Sequence, residues 1–179
     1  MRFRQGSGRM CLDYLRTLRH ETVEELSDAQ ALAAWVEQFG PFDTVPVPPD
    51  DGRVEGARRL REAIRTVIDS ARRGVPCPAS ARDIVNAAAR LPPPAPAVAD
   101  DGRLRWRADD PIAATLSLVA RDALDLTFSP LLARVRQCAG TDCGALFVDA
   151  SRPGRRRWCS MNTCGNRAKK DALKARQPD

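Results

Sequence analysis

The chain has 179 residues, 43% of them hydrophobic, enough for one ordinary core plus a small appendage. No apolar run approaches the roughly 20 residues of a membrane span, and Met1-Arg2-Phe3-Arg4-Gln5-Gly6 lacks the apolar segment of a secretory leader. A cytoplasmic protein with reduced cysteines and no membrane partner is therefore expected. The net charge of +6 is unevenly placed: from residue 134 onward eleven Lys and Arg face four Asp, whereas the residues before it carry eighteen basic against nineteen acidic side chains. The whole basic excess falls in the C-terminal quarter, which points to a polyanion as partner.

Residues 10–19 (MCLDYLRTLR) place Leu12, Leu15 and Leu18 near one another on a helix, with Cys11 among them as a small buried hydrophobe. Ser27-Asp28-Ala29-Gln30 offers a capping box, and Ala29, Leu32, Ala33, Val36 and Phe39 recur at helical spacing until Gly40-Pro41. Pro41 to Gly52, with Pro46, Pro48 and Pro49, is a connection. Leu60, Ile64, Val67, Ile68 and Ala71 then define a long amphipathic helix. Its other face carries Arg58, Arg59, Arg61, Arg65, Arg72 and Arg73, and Glu55, Glu62 and Asp69 among them favour a solvated, internally paired surface over a nucleic-acid contact. Cys77, between two prolines, is a surface-loop thiol. Ser80 can cap a further helix with Ile84, Val85, Ala88 and Leu91 inward, stopped by Pro92-Pro93-Pro94. Ala97-Val98, a turn at Asp100-Asp101-Gly102, and Leu104 alternating with Trp106 suggest a small hairpin. Asp110 as N-cap and Pro111 at the first position open another helix, which buries Ile112, Leu116, Val119, Ala120, Ala123, Leu124 and Thr127 and ends near Ser129-Pro130. Leu131 to Gln137 leads directly into Cys138, a short join that predicts a C-terminal unit packed against the helices.

That unit holds Cys138, Cys143, Cys159 and Cys164, spaced Cys-x4-Cys, fifteen residues, Cys-x4-Cys. Zn²⁺ takes four thiolates tetrahedrally, and two loops giving two ligands each complete such a site without histidine. Ala145 to Val148 reads as a strand, Asp149 to Gly154 as a turn, and Arg157-Trp158 as the return strand, so a hairpin is expected to link the two ligand pairs. Ser160 is a candidate N-cap for a helix from Met161, with Cys164 in its first turn. Loop, hairpin and helix around one structural zinc make a treble-clef-like finger.

The run Cys164-Gly165-Asn166-Arg167, preceded by Arg157-Trp158-Cys159-Ser160-Met161 and by Cys138 with Cys143, resembles the CGNR zinc-finger family of bacterial proteins. In that family the finger follows an N-terminal helical region, the ABATE domain, and the resemblance implies a stress-induced transcription regulator that binds DNA. Residues 10–17 resemble the opening of the ABATE region, which commonly reads Leu-Cys-Leu-Asp-Phe-Val-Asn-Thr; Arg16 stands where that pattern has Asn. The expected architecture is mainly α: an ABATE-like helical domain with a small β-hairpin over residues 1–130, serving as a sensor or dimerisation unit, then a CGNR-type finger over 131–179.

No enzyme is expected. His20 is the sole histidine, no glycine-rich phosphate loop occurs, and a zinc held by four cysteines keeps no open position for water or substrate. The candidate DNA contacts are Arg152, Arg155, Arg156 and Arg157 around the hairpin turn, and Asn166, Arg167, Lys169, Lys170, Lys174 and Arg176 on the following helix, which could enter a major groove. For Arg157, Asn166 and Arg167 a role in bracing the zinc loops stands equally beside DNA contact. Trp158 and Phe147 are expected to pack inside the finger. The alternative function is a zinc-stabilised interaction module whose basic face meets an acidic protein. A homodimer and a small-molecule ligand of the N-terminal domain are further candidate associations.

Overall fold

The computed structural model describes residues 2–20, 22–45 and 50–175. The prolines expected in a connection, Pro46, Pro48 and Pro49, lie outside the described residues. The chain is about half helical, with three small antiparallel hairpins among the described residues. Helix α1 (Met10–Leu15) buries Cys11, Leu12, Tyr14 and Leu15. It ends earlier than its apolar spacing suggests, because the amides of Arg16 and Thr17 bond back to Asp13 and Tyr14 at 3.2 and 3.1 Å, three residues behind, and tighten the last turn. The chain then enters a short ribbon in which β1 (Leu18–Arg19) pairs with β2 (Val23–Glu24), turning near His20, whose φ of 53° is left-handed.

Helix α2 (Ala29–Phe39) is capped by Asp28, whose carboxylate accepts the Ala31 amide at 2.9 Å; the Ser27 hydroxyl bonds to that carboxylate instead of acting as the cap. Its Trp35 stacks on Phe39 and meets Tyr14 edge-on, with ring centroids 4.8 Å apart in both pairs. The Tyr14 hydroxyl donates to the Ala57 carbonyl at 2.7 Å. Helix α3 (Asp51–Arg73) begins inside the expected connection because Asp50 accepts the Arg53 amide at 2.8 Å, and it stops at the left-handed Gly74.

One of the arginines expected on the solvated face of α3 is buried. Arg61, 3% exposed, forks onto Glu24 at 2.7 and 2.6 Å and reaches the Thr17 hydroxyl at 3.0 Å, tying the β1–β2 ribbon to the helix. Arg58 likewise turns back to the carbonyls of Leu26 and Ser27. Arg59 with Glu55 and Arg72 with Asp69 keep to the paired surface that the sequence suggests.

Helix α4 (Ala79–Arg90) follows Pro78 with no side-chain cap, so Ser80 does not serve as one. Val85 and Ala81 are buried, but Ile84 and Leu91 are exposed; the inward stripe is narrower than expected because α4 touches its neighbours along one edge. Strands β3 (Ala95–Val98) and β4 (Leu104–Arg107) form the expected hairpin and stand largely in solvent. Helix α5 (Pro111–Thr127) has the expected cap, Asp110, which accepts the amides of Ile112 and Ala113 at 3.1 and 3.0 Å. It runs against α1, α2, α3 and α4, and its Asp122 accepts the Cys11 amide at 2.8 Å while bound by Arg9.

A 3₁₀ turn at Pro130–Arg134 leads into β5 (Val135–Gln137), which pairs with β6 (Leu146–Val148). Val135, Leu146 and Val148 belong to the same apolar core as α1 and α5. The Val148 amide donates to the Ser7 carbonyl at 2.8 Å. The neighbouring Gly8, at φ 89°, approaches so closely that a Cβ there would lie 3.2 Å from the Val148 Cβ. The C-terminal unit is therefore docked on the helices along the N-terminal arm. No helix among the described residues is long and apolar enough to cross a membrane.

Candidate metal centre and nucleic-acid interface

The β5–β6 hairpin encloses the first cysteine pair. The Cys138 amide donates to the Ala145 carbonyl at 2.9 Å, and inside that loop the Cys143 amide donates to Gly140 at 3.0 Å. This differs from the expected hairpin between the two ligand pairs. Arg157-Trp158 is not a strand on β6; the Arg157 carbonyl instead accepts the Ala139 amide at 2.8 Å. The cause is Asp149, buried at the end of β6, which accepts the Ser151 amide at 2.9 Å, the Ser151 hydroxyl at 2.6 Å and the Arg156 amide at 2.9 Å. The Ser151 hydroxyl and these amides hold its carboxyl below the usual carboxylate range. Those bonds close residues 149–156 on themselves and divert the returning chain away from β6. Arg134 fastens the same turn by donating to the carbonyls of Asp149 and Ser151. The sequence marks this segment as a turn, but nothing in it singles out Asp149 or Arg134 as the residues that hold it.

After Cys159 the chain makes one wide π-helical turn, Met161–Gly165, in which the Gly165 amide reaches back to the Ser160 carbonyl at 3.0 Å. Helix α6 (Asn166–Lys174) continues from it. Cys164 thus sits in the first turn as expected, but the Ser160 side chain does not cap it.

The sulfurs of Cys138, Cys143, Cys159 and Cys164 all lie within 4.8 Å of one another. Cys143 and Cys159 are 3.6 Å apart and Cys159 and Cys164 3.8 Å, against about 3.8 Å between thiolates at tetrahedral Zn–S distances. The donor set, all soft sulfur, is the one that suits zinc and completes its shell. Burial and the neighbouring Cys143 push the Cys159 thiol up, and burial does the same to Cys164. Cys138 behaves differently: burial raises its pKa, but the amides of Cys159 and Gly140, 3.3 and 3.5 Å from its sulfur, outweigh that and lower it. Packed negative charge of this kind is what a divalent cation neutralises. Bound zinc would cross-link the knuckle at 138–143 to the helix start at 159–164. Gly140 makes room for it, since a Cβ there would sit 3.3 Å from the Cβ atoms of Cys143 and Cys164.

The candidate DNA-contacting side chains fall into two groups. Arg156 is turned inward: its guanidinium donates to the carbonyls of Trp158 and Cys159 and lies 4.8 Å from the centre of the Phe147 ring, which is fully buried. Arg157 is exposed but lies over the Trp158 ring at 5.0 Å, and the exposed Asn166 donates to the Asn162 carbonyl at 3.3 Å. Arg152, Arg155, Arg167, Lys169, Lys170 and Lys174 are exposed, and none of them is in an ion pair among the described residues. Arg176 lies outside the described residues. Cys77 packs at the edge of the main core, and Cys11 is fully buried there with its thiol pushed up by burial.

A docked helical domain and a compact four-cysteine finger define a two-part, zinc-binding protein. Residues 8–130 match the ABATE family, described as "Putative stress-induced transcription regulator", and residues 134–177 match the CGNR zinc finger. The chain belongs to the ABATE family and carries the CGNR finger at its C-terminal side. Neither family is described as enzymatic. No curated protein matches the chain.

Proposed function

We propose that this protein is a cytoplasmic, DNA-binding transcription regulator of the stress response, with no catalytic role, in which the zinc holds the finger and its cationic surface meets DNA. The observation that carries the reading is the contrast in how the cations are used. On α3 five of the seven arginines are in ion pairs, with Glu24, Glu55, Glu62, Asp69 and Asp110, and Arg65 and Arg73 are in none among the described residues, whereas all eight exposed cations of the finger, Arg136 and Arg157 included, have no carboxylate partner among the described residues. Unpaired cations clustered on one small unit release counterions on meeting phosphates, which favours a polyanion over a neutral surface. Arg152, Arg155, Lys169, Lys170 and Lys174 serve as phosphate contacts in this reading. Arg156 braces the loop before α6, Arg157 and Asn166 divide between bracing and contact, and Arg167 at the start of α6 is nearest to a base-reading role. The helical domain, residues 1–130, is the sensor or dimerisation unit.

A gel shift of the zinc-loaded chain against mixed genomic fragments tests this at 50 and 200 mM salt. Affinity that falls steeply with salt and enriches a recoverable site is expected. Absence of binding at the lower salt would sink the DNA reading and favour the acidic protein partner.

A further inference from the structure

Where the finger meets the helices lies a cleft of about 310 Å³, at the small end of the range in which compact ligands bind. Its helical wall presents Arg4, Arg16, Arg19 and Arg65 with His20, and its finger wall is the knuckle loop from Thr141 to Ala145 together with Gln137. Four arginines thus line the cleft against a single lining carboxylate residue, Asp142. Two of the four have acids behind them: Arg16 is 3.6 Å from Asp13, and Arg19 is 3.0 Å from Glu25. Arg4 and Arg65 are half-buried and in no ion pair among the described residues. The Nε of Arg19 is buried with no hydrogen-bond partner among the described residues. Arg16, only 8% exposed, adds its charge at the position where the ABATE-like pattern of the sequence carries a neutral Asn.

Cations gathered in a concave, partly desolvated site repel one another and lose hydration, a cost that an entering anion removes. The planar guanidinium fork matches an oxyanion, and a phosphate group with its double charge suits the two arginines that lack an acid. The cleft is too small for a folded partner. We propose that it binds a small phosphorylated molecule, its phosphate held by Arg4, Arg19 and Arg65 and its remainder against the knuckle loop at Thr141. Such a ligand touches both units at once and fastens the Cys138–Cys143 loop to α1 and α3. The inference stands on the cleft alone and is independent of whether the finger binds DNA.

Equilibrium dialysis of the full, zinc-loaded chain against radiolabelled inorganic phosphate, at ionic strength held constant with potassium chloride, tests it. Saturable binding of one phosphate per chain is expected. Arg65→Gln and Arg4→Gln should each weaken it by roughly tenfold or more, as expected when one charge-assisted hydrogen bond is removed. Arg82→Gln, which removes an equal charge on the exposed face of α4, should leave it unchanged, and zinc content with far-UV circular dichroism would establish that all three variants fold. Absence of saturable binding by the folded wild type, equal weakening by Arg82→Gln, or unaltered binding by both cleft variants would overturn the proposal. Competition by acetate at the same concentration would assign the cleft to carboxylates in general. Displacement by a short DNA duplex would make it part of a nucleic-acid surface. Either result also contradicts it.

Discussion

Asp13 accepts the amides of Gly6 and Ser7 at 3.1 and 2.9 Å, and Ser7 in turn accepts the Val148 amide of the finger, so one buried carboxylate of α1 fixes the arm on which the second unit rests. Asp13→Ala should cost about 1–3 kcal/mol, the range for buried donors left unpaired, read as a lower urea midpoint. Glu24 offers a test in pH. Burial raises its pKa, but the Arg61 fork outweighs this and holds it below the ordinary carboxylate value. Its stabilisation is thus fully present above the unfolded pKa and is lost as pH falls through the lowered folded value. Urea melts of the helical domain signal at pH 7, 4 and 3 should lose this slope in Glu24→Gln. At Gly140, addition of a methyl group in Gly140→Ala should press on Cys143 and Cys164 and weaken zinc retention in a chelator competition while leaving the helices intact. The burial of Arg61 was not legible in its spacing, since it sits among exposed arginines and is covered only because a two-residue strand far away in sequence delivers Glu24 above it.

The capped helices are where local sequence and structure agree best. Asp110-Pro111 marks the start of α5 through a contact within three residues, and Asp110→Ala should cost about 1 kcal/mol by thermal melt. Helix α3 was legible by its period, but its first turn was hidden because Asp50 reads as part of the preceding connection. The β1–β2 ribbon was not legible at all: two residues per strand carry no alternation, and the turn at His20 uses a non-glycine residue with positive φ. In the finger the cysteine spacing was enough to bring out the metal centre, because four thiols in two pairs have few other uses in a reduced chain. The hairpin partner was not, since Leu146 to Val148 could pair on either side and the choice is made by Asp149 closing its own turn. Removal of zinc with a strong chelator should unfold residues 138–175 and leave most of the helical far-UV signal. Cys143→Ser and Cys164→Ser should do the same, with sub-stoichiometric zinc on metal analysis.

On the scale of the whole molecule the charge is sorted by unit: the helical domain carries acids and bases in nearly equal number, and ten of its arginines are in ion pairs, whereas the finger holds the basic excess, and no ion pair involves its cations among the described residues. Lys169→Gln combined with Lys170→Gln should lower DNA affinity across all sequences and flatten the log–log salt dependence by about 0.9 for each phosphate that is no longer neutralised. The overall two-part plan was legible because charge, cysteines and apolar period each change near residue 134. The mode of docking was legible only in outline: the short join said that the units touch, but not that Leu146 and Val148 would enter the helical core.

That shared core sets a temporal order on assembly. The arm before α1 leaves the ribosome well ahead of its backbone partner at Val148, and the side chains that close the apolar edge of α1 emerge only after helices α1 to α5. Domains tend to fold as they are synthesised. The helical unit must therefore wait with one flank wet, and the metal cannot complete its shell until Cys164 is out. Folding of the finger then follows that of the helices and seals the flank they left open.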